Sequence, residues 1–364
     1  MAMVIQGINN GSMYFSADIG DIKISNVSGT LGVKYIINST NTISEKYYAD
    51  SNGNVTIKDI AKLVEAYYNF PIYGESTTEY TLDAATVQMT CTDSSGSVSV
   101  SFKMIYSNAK VNCNPDECHF FLSRYRLIKT NKQRIEFITL FKTGSVKLIT
   151  GVAYINSGKA KFKKITLALS TKNDCCYTRL VSLKSIASLA GININDVLFY
   201  ELYLYVSDIL TDKIRYEIDT DQKPSDINFL YRNLFGGFET VSFSGYMTDT
   251  PEISASVDVL LDKHQRHSIS LKDSHKAYSG FVNAEKYNAI RDMLLSPVTY
   301  LLNKNFQAEE IIISESDMER TTPSSEAFGI SVSYYPAYQA SYGFTRDNGI
   351  KDRIFDKTFD HTFD

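Results

Sequence analysis

The chain has 364 residues, of which 43% are hydrophobic and 21% are charged, and its formal net charge is −4. This length is too great for one ordinary core, so we expect two or three domains. The slightly acidic balance gives no electrostatic reason to expect a nucleic acid partner. With 25 Tyr, 20 Phe and no Trp, the composition favours β-structure.

The cysteines and the N-terminal residues predict where the chain is made. There are five cysteines, an odd number, and Cys175 and Cys176 are adjacent. Such a set does not predict a disulfide framework, so we expect synthesis in a reducing compartment. The first residues lack a basic stretch followed by an apolar run, and no segment has the apolar length of a membrane span. We therefore expect neither a signal peptide nor membrane insertion.

Alternation of apolar and polar residues predicts strands along most of the chain. In SVSVSFKMIY (residues 97–106) the apolar side chains share one face, which is typical of a half-buried antiparallel strand. KIRYEID (residues 213–219) repeats this pattern. VLFYELYLYV (residues 197–206) is apolar on both faces apart from Glu201, which predicts a strand between two layers.

Three segments have the apolar spacing of short amphipathic helices. They are IKDIAKLVEAYYNFP (residues 57–71), SLKSIASLAG (residues 182–191) and NAEKYNAIRDMLLSP (residues 283–297). Thr56 or Asp59 could cap the first, Gly191 suits the end of the second, and Asn283 could cap the third. The chain is therefore predicted to be mainly β with a few short helices, as a β-sandwich or barrel-like multi-domain protein.

Two breaks in the pattern, near residues 107–114 and 219–226, predict domain boundaries. The predicted units are an N-terminal β domain with one helix (1–110), a middle β domain (111–225), a C-terminal β domain with one helix (226–345) and a tail (346–364).

No motif predicts a catalytic or metal site. Cys113, Cys118 and His119 lack a second ligand pair, so a structural loop is favoured over zinc. Gly158-Lys159 fails the phosphate-loop pattern at both ends, and the following lysines are interpreted as the solvated face of a strand with a bulge.

Two further ligand patterns also favour structural interpretations. His264 and His267, with His275 beyond them, lie in strand-like sequence and are predicted to be exposed at a hairpin. ADSNGNVTIKDI resembles a calcium loop but has glycine at the wrong position, so Asn52-Gly53 is interpreted as a primed hairpin turn. We therefore expect no catalytic residues, no metal, no cofactor and no enzyme activity, although a hydrolase site built from distant residues stays an alternative.

Four phrases, taken in order, resemble a family of β-rich virion proteins of Bacteroidetes phages and prophages. They are ECHFFLSRYRLIKTNKQRIEF, NFLYRNLFGGFETVSFSG, YSGFVNAEKYNAIRDMLLSPVTYLL and FGISVSYYPAYQAS. The resemblance spans roughly residues 118–364 and implies a tail-associated structural protein of the baseplate or tail tip, similar to distal-tail adaptor rings. It implies assembly with itself, as a homo-oligomeric ring, and with other phage tail proteins. The implied location is the virion tail, assembled in the host bacterial cytoplasm.

The chain ends in a repeat of Phe and Asp at four-residue spacing. Its members are Phe355, Asp356, Phe359, Asp360, Phe363 and Asp364. As a strand or as a helix, the repeat presents an aromatic edge on a tether, which suits docking on a neighbouring subunit. We interpret these six residues as an assembly interface, with folding back onto the same chain as the alternative.

A receptor- or glycan-binding module of the tail is the alternative function. Tyrosine rings on one face could stack on sugars of the host surface. The candidate residues are Tyr334, Tyr335, Tyr338 and Tyr342.

Overall fold

The computed structural model describes residues 2–123, 125–219, 227–260, 263–303, 307–317 and 328–338. Within these ranges the chain is mainly β-structure with three short α-helices, which confirms the predicted β-rich, multi-domain fold class. No helix in this part of the chain is long and apolar enough to cross a membrane.

The described N-terminal third contains nine strands, eight of which form two sheets around one core. They are β1 (Val4–Gln6), β2 (Met13–Phe15), β3 (Ile22–Ser25), β4 (Thr30–Ile37), β5 (Asn41–Tyr48), β6 (Val55–Ile57), β7 (Glu79–Asp83), β8 (Ala85–Asp93) and β9 (Gly96–Ile105). One sheet has the order β2-β9-β8-β4-β5 and the other β1-β3-β6. Val100, Phe102 and Met104 of β9 are buried, as their alternation predicted, because successive side chains of a strand point to opposite faces.

The described middle part of the chain contains seven strands, five of which form one sheet. Its elements are β10 (Leu127–Thr130), β11 (Phe137–Lys142), β12 (Val146–Asn156), β13 (Lys159–Leu167), β14 (Cys175–Leu180), β15 (Val197–Val206) and β16 (Ile209–Ile218). The sheet order is β10-β16-β15-β12-β13. The rings of Tyr200 and Tyr216 stack 4.5 Å apart on its buried face. The prediction that β15 is covered on both faces is wrong, because Phe199 and Tyr203 on its other face are only half-buried.

The C-terminal third forms a seven-stranded sheet and a separate ribbon. Its strands are β17 (Ile227–Arg232), β18 (Phe238–Phe243), β19 (Met247–Asp249), β20 (Glu252–Leu260), β21 (Lys263–Lys272), β22 (His275–Val282), β23 (Thr299–Leu302), β24 (Ala308–Asp317) and β25 (Phe328–Pro336). The sheet order is β18-β17-β23-β24-β25-β22-β19, and β20 pairs with β21 as a two-stranded antiparallel ribbon.

The three predicted helices are present as α1 (Ile60–Glu65), α2 (Leu183–Ala190) and α3 (Ala284–Leu294). Gly191 ends α2 with φ of 64°, and the Asn283 side chain caps α3 by accepting the Lys286 N–H at 2.9 Å. The predicted cap of α1 is wrong. Asp59 has φ of 54° and makes no side-chain cap hydrogen bond, and Thr56 lies within β6.

A small sheet joins the first third of the chain to the middle and carries a loop from the last third. β7 pairs with β14, and β14 pairs with β11. The Asn233 side-chain amide donates to Thr139 Oγ1 at 2.9 Å, and Thr139 is hydrogen-bonded to Thr178 across the strand pair at 2.9 Å. A Cβ at Gly237 would lie 2.1 Å from Thr178 Oγ1, so only glycine fits where this loop contacts the sheet.

Candidate functional site

A cleft of about 380 Å³ opens between the edge of the middle sheet at β10 and the C-terminal sheet at β18 and α3. Its lining is rich in charge. The charged lining residues are Lys129, Arg134, Glu136, Asp219, Glu239, Glu285 and Lys286. Acidic and basic side chains in one cleft shift each other's pKa values. This makes the cleft the most chemically distinctive part of the described chain.

Glu136 is the buried acid of this cleft. It precedes β11 and is 6% exposed, and Thr240 Oγ1 donates to its Oε2 at 3.2 Å. Burial raises the pKa of Glu136 to about 7, against the lowering effect of the Arg134 guanidinium and the Thr240 hydrogen bond. At neutral pH, Glu136 therefore populates both its protonated and its ionised forms.

Glu239 on β18 is the second acid, and it is held in place by hydroxyl donors. Ser123 Oγ donates to Glu239 Oε1 at 2.6 Å and the Tyr231 hydroxyl donates to Oε2 at 3.3 Å. Burial, together with Glu239 and Glu136, raises the pKa of Tyr125 well above its usual value, so this phenol stays protonated.

Sequence reasoning missed this cleft. Glu136 precedes β11 and Glu239 lies in β18 of another sheet, and neither lies in a motif, so no local sequence signal identifies them. The cleft can hold a proton at Glu136 and contains a second carboxylate, Glu239, and a titratable acid is one requirement of the hydrolase alternative. Within the described ranges, no group of three His, Cys, Asp or Glu side chains is placed to hold a metal ion.

The two candidate thiol ligands, Cys113 and Cys118, make contacts within the fold. Cys118 is buried in the N-terminal core, and burial raises its pKa to about 12. The Cys113 thiol donates to the Asn114 carbonyl at 3.4 Å. All five cysteines are free thiols.

His264 and His267 lie together on β21, whereas His275 lies on another sheet. His264 is exposed on β21, and His275 on β22 places Nδ1 2.8 Å from Asp249 Oδ1. His267 also lies in β21. The exposed position of His264 in a hairpin agrees with the prediction.

Two predicted loop geometries are wrong. Ser157 and Gly158 have φ of 52° and 74° and form a two-residue turn between β12 and β13, which pair in regular register without the predicted bulge. Asn52-Gly53 is not a hairpin turn, because β5 and β6 on either side belong to different sheets. Asp50 accepts the N–H groups of Asn52 and Asn54 at 2.9 and 2.8 Å, so this carboxylate is used by its own loop.

The β20–β21 ribbon exposes large apolar side chains. Ile253 is 64% exposed and Val257 is 53% exposed, and beside the base of the ribbon Tyr246 is 63% exposed. Two strands without a third strand or a covering layer are marginally stable in water. No other described strand pairs with the ribbon, so contact with another surface would stabilise it.

The tyrosine face suggested for glycans is not formed as expected. Tyr334 is 1% exposed and packs edge-on against Phe229 in the core, because it lies on the inner face of β25. Tyr335 lies under the Lys272 ammonium, 4.1 Å from its ring centre, and Tyr338 is 81% exposed. Tyr342 lies outside the described residues, as does the whole predicted interface of the tail. That interface comprises Phe355, Asp356, Phe359, Asp360, Phe363 and Asp364.

Comparison with known proteins gives weak structural similarities. No protein-family model and no curated protein matches the chain. The tail of an empty GTA particle is 13% identical, covers 34% of this chain and 98% of its own, and has a TM-score of 0.24. A titin fragment is 11% identical over 60% of this chain and 100% of its own, with a TM-score of 0.23. An I-band fragment of titin is 8% identical over 76% and 93%, with a TM-score of 0.19. Scores this low establish no shared fold, so the function is argued from the chain itself.

Proposed function

We propose that the protein is a structural subunit of a phage tail, in the baseplate, the tail tip or an adaptor ring, and that it acts by assembling with copies of itself and with other tail proteins. It has no catalytic activity and needs no cofactor in this role. Its location is the virion, after assembly in the host bacterial cytoplasm. The phrase resemblance from residue 118 onward and the β-rich architecture support this proposal.

The exposed ribbon is the observation that carries the assembly role. Among the described strands, none pairs with either outer edge of the β20–β21 ribbon, so the N–H and C=O groups of these edges have no partner strand there. Burying Ile253 and Val257 on a neighbouring subunit would remove their apolar surface from water, at roughly 25 cal/mol for each Å². The same contact would also satisfy edge hydrogen bonds, so the ribbon is stabilised by assembly.

The test is the mass of the purified chain in solution, measured by size-exclusion chromatography with light scattering. We expect a closed oligomer of defined stoichiometry for the unmodified chain, and dissociation of that oligomer when Ile253 and Val257 are both replaced by Ser. Ile72→Ser is the matched control, because Ile72 is 82% exposed and is not part of the ribbon.

The control should keep the oligomer intact. A chain that stays monomeric at every concentration, or an oligomer that is unchanged by the ribbon substitutions, would contradict the proposal. A monomer that binds host surface polysaccharide would instead support the glycan-binding alternative, for which the exposed Tyr338 is the available ring.

A further inference from the structure

β13 forms one edge of the middle sheet. It pairs with β12 on one side, and no described strand pairs with its other side. Asn156 and Lys159 close the two-residue turn and form a hydrogen-bonded pair, after which the pairs alternate along the ladder. The N–H and C=O groups of Ala160, Phe162 and Lys164 therefore point away from β12, where an added strand could bind them.

The exposed half of this edge is strongly basic. Residues 159–164 are all exposed, and Lys159, Lys161 and Lys163 share one face of the strand. The Lys163 ammonium donates to the Ala190 carbonyl at 2.6 Å. Among the described residues, neither Lys159 nor Lys161 has an ion-pair partner. One face of the edge thus carries positive charge that the described part of the chain does not neutralise.

The other face of the same edge carries Phe162 and Lys164, and the Lys164 ammonium lies 5.4 Å from the centre of the Tyr203 ring. Phe162 is 49% exposed, and a Cβ at Gly151 would lie 2.3 Å from its ring and 3.0 Å from the ring of Tyr203. Glycine at this position lets the two rings lie against the strand backbone. Lysine-bearing edges usually resist pairing with another chain. An incoming strand would have to supply acids on one face and apolar rings on the other.

The C-terminal residues have this combination in the period of a strand. When they are extended, the aromatic, Lys and His side chains alternate with acidic and Thr side chains. The first set is Phe355, Lys357, Phe359, His361 and Phe363. The second set is Asp356, Thr358, Asp360, Thr362 and Asp364.

We propose that residues 355–364 add to the free edge of β13 as a further strand, with the Asp face beside Lys159, Lys161 and Lys163 and the Phe face beside Phe162. Opposite charges on neighbouring strands stabilise a sheet, and backbone hydrogen bonds to the edge add further stabilisation. Sixteen residues, 339–354, link the last described residue, Tyr338, to this segment and can extend over roughly 50 Å. The docking is independent of the assembly role proposed above.

Residue-resolved hydrogen exchange on the full chain tests the docking. The N–H groups of Ala160, Phe162 and Lys164 should exchange slowly in the unmodified chain. In the variant that combines Asp356→Lys with Asp360→Lys, they should exchange at least about ten-fold faster, because the added strand is lost. This variant leaves β13 and its sheet unchanged, so failure to fold is not a concern.

A second variant, in which the charges on β13 are reversed as well, completes the test. Adding Lys159→Glu and Lys161→Glu to the tail variant should restore slow exchange, since the charges again match. β5, an edge strand of the N-terminal sheet, is the internal control, and its exchange rates should not change. Unprotected edge amides in the unmodified chain, or protection that survives the tail variant, would overturn the proposal whatever the oligomeric state of the protein.

Discussion

The protonation of Glu136 should make the stability of the protein depend on pH. Burial raises its pKa from 4.5 to about 7, so the folded chain binds an additional proton across that interval. A raised folded-state pKa stabilises the protein fully below pH 4.5, and the contribution is lost as the pH rises towards 7. At roughly 1.4 kcal/mol per pH unit, the interval corresponds to a loss of about 3 kcal/mol in the free energy of unfolding.

The substitution Glu136→Gln keeps the shape and the polar contacts of the protonated acid but cannot ionise. We expect its free energy of unfolding, measured by urea denaturation between pH 5 and pH 8, to fall less with pH than that of the unmodified chain, by about 2 to 3 kcal/mol. Glu315→Gln, at an exposed position of β24, should keep the unmodified slope. Parallel pH profiles for the unmodified chain and Glu136→Gln would refute this reasoning.

Three further predictions follow from the packing. Gly237→Ala should lower the free energy of unfolding by about 2 kcal/mol or more, because its Cβ would collide with Thr178, whereas Gly20→Ala has open space and should change it little. Asn283→Ala should cost about 1 kcal/mol by removing the cap of α3, as thermal unfolding would show. A thiol reagent should label Cys113 in the native chain and all five cysteines after denaturation; early labelling of the four buried thiols would contradict the packing.

Local patterns predicted the elements well, because the physics they encode is local. Alternation in residues 97–106 identified β9, and a glycine at Gly191 and a cap at Asn283 marked the ends of α2 and α3. These signals depend on a few neighbouring residues. The cap at Asp59 and the turn at Asn52-Gly53 failed although the local residue types were suitable. Asp59 adopts a left-handed backbone conformation, and the strands on either side of Asn52-Gly53 belong to different sheets.

The cleft could not be predicted in the same way. The pKa of Glu136 depends on burial between two sheets whose strands are far apart in sequence, and no alternation pattern encodes that contact. Tyr334 is the opposite case, because the local sequence suggested exposure and the fold buries the ring. Its tyrosine-rich stretch suggested an exposed face, but the strand period places this ring in the core.

The cleft and the β13 edge lie at opposite edges of one sheet. Whether changes at the two sites act independently can therefore be measured. β10 lines the cleft and β13 is the far edge of the order β10-β16-β15-β12-β13, so four strand spacings, or about 19 Å, separate them. Sites this far apart with no common partner usually act additively. Glu136→Gln should therefore leave amide exchange at Ala160 and Phe162 unchanged, and the tail variant should leave the pH profile of stability unchanged. A coupling between the two would mean that the five-stranded sheet shifts as a unit when Glu136 ionises, and that docking at one edge responds to the proton at the other.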